Sequence, residues 1–129
     1  MKTNYDLIDH FLVHLGNRDL QAASAMLSSQ FQLTVSGGHE FRKLEEFAAF
    51  SKGRNGPTVK HRERYEGFES DGTAVVYSLG YMSGIWLDGT EFDRVRYVDR
   101  FELRNGLIQK MDVWSDMAEF RPMDTTGTD

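Results

Sequence analysis

Cysteine is absent from the 129-residue chain. Its absence removes disulfide frameworks, thiol nucleophiles and thiolate metal sites, and fits a reducing compartment, so the expected location is the cytoplasm. Long apolar runs are missing too, and none approaches the ~20 residues that a membrane helix requires. The opening "MKTNYDLIDHFLVHLGNRD" has one lysine and then sets acids and histidines within its apolar run, a pattern unlike a signal peptide. Positive charge is in deficit. With a formal net charge of −5 and a pI near 5.3, nucleic acid is not the expected partner. Repeats, linkers and low-complexity segments are likewise lacking, and one domain spanning 1–129 is the simplest organisation.

What is present is periodicity, first of one kind and then of another. Leu7, Ile8, Phe11, Leu12 and Leu15 recur at helical spacing, with Thr3 or Asn4 as an N-cap and Gly16-Asn17 as the stop. A second helix is expected from Asp19, carrying Leu20, Ala23, Met26 and Leu27 on one side. "FQLTVSGG" reads as a strand closed by two glycines, and "RKLEEFAAFSKGRNGP" as a third helix ended by Gly53 and the Asn55-Gly56-Pro57 breaker. From Thr58 the period becomes two. Four strands are predicted over 59–69, 73–87, 91–104 and 107–115, separated by Asp71-Gly72, Asp88-Gly89 and Asn105-Gly106, which suit tight hairpins. Residues 121–129 read as a frayed polar tail. Helices first and strands later indicate an α+β fold.

The segments "GNRDLQAASAML" and "FQLTVSGG", "VKHRERYEGFESDGTAVVYSLGYMSG", and "VDRFELRNGLIQKMDVWSDMAEF" together resemble the nuclear transport factor 2-like superfamily, which includes ketosteroid isomerases, SnoaL-type polyketide cyclases and limonene epoxide hydrolases. The resemblance covers nearly the whole chain. It implies a cone: a strongly curved, mostly antiparallel sheet wrapped around N-terminal helices, with an internal pocket. Against ketosteroid isomerases, Asp99 matches the oxyanion-hole acid, but the catalytic tyrosine position is Phe11 and the general-base position falls near Val35. Against the epoxide hydrolases, the arginine and aspartate positions fall at Leu79 and Tyr81. Neither established catalytic set is complete. The resemblance also implies a homodimer through the outer sheet face.

Within this frame Asp99 is the leading candidate. It is in step with Tyr97, Phe101 and Leu103, so alternation aims it inward, where a carboxylate needs a hydrogen-bond partner, a raised pKa or a wet cavity. His61, in step with Val59, Glu63 and Tyr65, is the expected acid/base partner. Tyr77, Leu79 and Tyr81 share one strand face, and two tyrosines would give a pocket an apolar wall with polar tips. On the last strand either Asp112 and Trp114 or Met111 and Val113 face inward, and Trp114 is preferred as an aromatic wall. Phe11, Val35, Tyr97 and Phe101 complete the expected lining. Arg94, Arg96 and Arg100 alternate on the opposite face, where Val76, Met82 and Trp86 would give a subunit interface apolar area. His10 and His14 have i, i+4 spacing but no third ligand, so neither a metal nor a cofactor is expected. The expected function is binding of a small, largely apolar organic molecule, with cofactor-free acid/base chemistry by Asp99 and His61. The alternative is a non-catalytic binding or dimeric interaction protein.

Overall fold

The structure, a computed structural model, describes residues 3–122. Its elements run α1 (Asn4–Gly16), α2 (Leu20–Ser24), β1 (Leu27–Val35), β2 (His39–Phe41), α3 (Leu44–Lys52), β3 (Thr58–Ser70), β4 (Thr73–Ile85), β5 (Glu91–Arg104), β6 (Leu107–Ser115) and α4 (Met117–Phe120). No helix among the described residues is long and apolar enough to cross a membrane.

A capping box starts α1. The Thr3 hydroxyl accepts from the Asp6 amide, and the Thr3 amide donates to the Asp6 carboxylate. The second helix is shorter than its apolar spacing suggests, because Met26 already belongs to the sheet connection. Its carbonyl accepts from the Ile108 amide, and Leu27 begins β1. The sheet competes for this backbone and wins. Two elements have no clear sequence signal: the three-residue strand β2 and the one-turn helix α4.

The six strands form one sheet in the order β2-β1-β6-β5-β4-β3, antiparallel except where β1 runs beside β6. The meander from β3 to β6 is therefore the one expected. On the concave face the core gathers Ile8, Phe11 and Leu12 of α1 with Leu33, Val76, Phe101, Leu103, Ile108 and Met111. A second cluster of Met82, Trp86, Phe92, Val95 and Tyr97 sits at the other end of β4 and β5. Val76, Met82 and Trp86 are thus buried at 1%, 8% and 4% exposure, not on the outer face as expected.

Three bulges decide which residues face inward. Register slips between Arg62 and Arg64 on β3, between Met82 and Gly84 against β5, and between Glu102 and Leu103 against β6. Each extra residue reverses the alternation beyond it. The second bulge holds Arg94 in a left-handed conformation with φ of 59°. Of the expected tail, Arg121 and Pro122 are described and Arg121 lies against the folded body, while 123–129 fall outside the described residues.

Candidate functional site

Asp99 points inward and is fully buried. Directly opposed residues share a sheet face, so its cross-strand partners Ser78 on β4 and Val113 on β6 point inward with it. Around it Tyr97 faces Gly80, and Phe101 faces Val76. The tyrosine is 2% exposed, with its hydroxyl 2.9 Å from Ser78 Oγ, and burial pushes its pKa up to about 12.

The partner of Asp99 is Lys60. Its Nζ donates to Oδ2 at 2.5 Å and lies 4.4 Å from the centroid of the Tyr97 ring. The other carboxylate oxygen, Oδ1, is buried with no hydrogen-bond partner among the described residues. Burial raises the Asp99 pKa, and the adjacent ammonium opposes that rise. The two residues stand on strands separated by β4, whose inward position at Gly80 carries no side chain. The lysine side chain keeps about a quarter of its surface exposed, on a cavity.

This cavity of about 230 Å³ lies between the helices and the concave sheet. An apolar cavity of ~150 Å³ holds benzene, so this one has room for a ring bearing substituents. Leu12 and Leu15 of α1, Leu20 of α2, Phe47 and Phe50 of α3, and Val35, Met82, Met111 and Val113 of the sheet give it an apolar wall. Ser36, Ser51, Asn55 and Thr58 add neutral polar groups, and Arg18, Arg54, Lys60 and Arg121 add positive charge.

Several expected site residues stand elsewhere. His61 points to the convex face, where its Nε2 is 2.8 Å from Ser83 Oγ and its ring stacks on Tyr81 at 4.4 Å. Tyr65 is inward, as expected, but the bulge at Glu63 puts His61 on the other side. Tyr77, Leu79 and Tyr81 are convex as well. Once Tyr97, Asp99 and Phe101 turn inward, their partners Gly80, Ser78 and Val76 must follow, and the tyrosines take the outside. There Arg94 covers the Tyr81 ring at 4.3 Å, and Arg100 donates to the Tyr77 hydroxyl at 3.3 Å. Trp114 is 53% exposed because the bulge at Gln109 turns Met111 and Val113 inward. Phe11 and Phe101 are inward but pack edge-to-face in the closed core, leaving Val35 as the expected lining residue that does meet the cavity.

The residue that sequence reasoning overlooked is Lys60, adjacent to the favoured His61. A signal existed: an inward carboxylate calls for a cation, and the Lys60-His61 pair offers one on each face of the strand. A separate polar cluster joins α1 to β3. Tyr65 and Arg62 both donate to Asp9 Oδ1, the arginine at 2.6 Å. His10 Nδ1 donates to the Asp6 carbonyl at 2.7 Å.

Many solved structures share this architecture. One is a nuclear transport factor 2-like protein of unknown function from Burkholderia pseudomallei, with a TM-score of 0.74 at 19% identity, covering 92% of this chain and 95% of that one. The fold is that of the nuclear transport factor 2-like proteins. TerC, co-crystallised with polyporic acid, aligns with a TM-score of 0.73 at 17% identity over 91% of this chain and 94% of its own. A candidate polyketide cyclase from a Silicibacter species gives 0.67 at 17% identity, over 93% and 95%. No family model matches the sequence, and no curated protein does. At these identities the likeness establishes the fold, which hosts many unrelated activities.

Proposed function

We propose that this nuclear transport factor 2-like domain binds a small, largely apolar organic molecule in the cone and acts on it by cofactor-free acid/base chemistry. The observation that carries the reading is Lys60, which meets the cavity on one side and is ion-paired to fully buried Asp99 on the other. In this arrangement the lysine, not the carboxylate, touches the ligand. Its ammonium can donate a proton to a ligand oxygen, and the amine left beside Asp99 can then take a proton from a ligand carbon. The pair ends as it began, so the step is an isomerisation, enolisation or ring closure needing no co-reactant. Burial of Asp99 lowers the cost of the neutral form of the pair, which favours such a shuttle. That TerC was co-crystallised with an organic acid supports a small-molecule role for this architecture.

The test is turnover of a panel of cyclic enones, β-dicarbonyl compounds and hydroxyquinones in D2O, with deuterium incorporation and rearrangement followed by NMR. Turnover lost in Lys60→Met with binding retained is the expected result. Unchanged turnover in that variant would overturn the assignment.

A carrier role is the second reading. Lys60 is the one amine among the described lining residues, whose other polar groups are guanidinium groups, hydroxyls and an amide. Ligands that bind but never react would favour it. We also propose that two copies meet through the convex sheet face. Trp114, Val98 and Leu79 stand opposite one another across β6, β5 and β4, and Val59 and Phe68 of β3 are 57% and 55% exposed.

A further inference from the structure

The charges around the cavity are distributed oddly for an acidic protein. The chain has 20 acidic and 15 basic residues, yet no Asp or Glu among the described residues lines the cavity, while Arg18, Arg54, Lys60 and Arg121 do. Lys60 has its counter-charge in Asp99. Arg54 and Arg121 enter no ion pair among the described residues.

What holds these two guanidinium groups is aromatic surface. Arg54 lies 4.5 Å from the Phe50 ring centroid, and that ring is itself against His39. Arg121 lies 5.6 Å from the Trp86 ring centroid. Stacking of this kind fixes the plane of a guanidinium but leaves its N–H donors unspent. The Nε of Arg121 is buried and makes no hydrogen bond among the described residues. Burial and then the charge of Arg54 both hold the Arg121 pKa below its ordinary value, so the two cations feel each other. An unsatisfied buried donor and a like-charge repulsion each work against folding. Both are relieved by one event: arrival of an anion.

We infer that the cavity takes organic anions, with an apolar ring system seated against Leu12, Phe47, Met82 and Met111 and a carboxylate, or an equally acidic enolate or phenolate, held by Arg54 and Arg121. This rests on the reading of the cone as the ligand site and specifies its substrate class. A carboxylate suits the site because its two oxygens match the forked donors of arginine. With the acidic end held there, the remaining ring reaches inward toward Lys60, so the arginines orient and the lysine reacts.

The test compares two probes of equal shape, 2-naphthoate and 2-naphthamide, by calorimetric titration of the full chain. The wild-type protein is expected to bind the naphthoate at least about tenfold more tightly than the amide, the worth of a charged hydrogen bond. In Arg54→Met and Arg121→Met that preference collapses, because naphthoate affinity falls much further than naphthamide affinity. Thermal melts of the ligand-free variants serve as the folding control, and Arg121→Met should melt no lower than wild type because it removes a repulsion. Equal wild-type affinity for both probes overturns anion selection while leaving the cavity reading intact. An unchanged preference in both variants overturns the role of these arginines. Absence of binding by either probe, or binding untouched by Ala48→Phe within the cavity wall, overturns the cavity reading and this inference with it.

Discussion

Lys60 and Asp99 face each other across β4, one strand to either side of it, and meet at 2.5 Å over the Tyr97 ring. A buried pair of this kind is weak evidence for stability but expensive to break from one side. Lys60→Met should destabilise the fold by about 2–3 kcal/mol, below the fully buried range because the lysine is partly exposed. Replacing both, Lys60→Met with Asp99→Leu, should recover most of that loss. The pH dependence carries a definite sign. A carboxyl whose folded pKa is raised is most compatible with folding below its ordinary value near 3.8, and that stability is lost as pH rises through the folded value. Without Lys60 opposing the rise, the single variant should weaken more steeply than wild type as pH rises above about 4, as urea titrations at several pH values would show. A flat profile would rule out Asp99 as the titrating group.

Gly80 is required by the bulge on the neighbouring strand. A Cβ there would lie 2.0 Å from the His61 carbonyl oxygen and 3.1 Å from the Glu63 amide nitrogen. Neither atom can yield without moving β3. Gly80→Ala should cost about 2 kcal/mol, seen as a lower urea midpoint with an unchanged slope. It should also disturb the side-chain NMR signals of Lys60, which is carried by the displaced strand.

Asp9 ties α1 to β3. Burial pushes its pKa up, but the bonds from Tyr65 and Arg62 outweigh burial and hold the carboxyl below its ordinary range. Stability from a depressed carboxyl is present above its ordinary value near 3.8 and is lost as pH falls through the folded value. Asp9→Asn should therefore cost about 1 kcal/mol at pH 7, a modest figure because the ion pair with Arg62 is partly exposed. The gap to wild type should close on acidification below about pH 4, with chemical denaturation as the readout.

On the convex face, Leu79→Glu and Trp114→Glu place charges in the row formed with Val98. If that face joins two copies, sedimentation should show a wild-type dimer at micromolar concentration and monomers for both variants, without loss of the fold. A monomeric wild-type chain would refute the proposed contact.

The architecture was legible because helical and two-residue periods stand in separate halves of the chain, and Asp-Gly and Asn-Gly pairs mark the hairpins. Along β5, alternation correctly aimed Tyr97, Asp99, Phe101 and Leu103 inward. Transferring that face to neighbouring strands was less secure. A hairpin at Asn105-Gly106 counted without a bulge sets Asp99 opposite Asp112, which turns Trp114 inward, whereas the extra residue at Gln109 sets it opposite Val113. The same miscount across Glu63 exchanged His61 for Lys60. Bulges are invisible to periodicity because they are breaks in it. The tyrosines of β4 misled for another reason: their strand could have shown either face, and only pairing with β5 decides. The arginines of the cavity left no periodic trace, since Arg18 and Arg54 lie in separate connections and Arg121 follows the last helix.

The bulge at Gln109 has a genetic consequence. Loss of that single codon would remove the bulge and leave every pairing beyond it in place, since Lys110 already stands opposite Glu102 and Val113 opposite Asp99. The apolar wall of Met111 and Val113 would survive that loss, with Asp112 and Trp114 still on the convex face. In descendants of such a chain, single deletions at the bulges of β3 and β6 would be expected to leave ligand choice intact, and point changes in the cavity to redirect it.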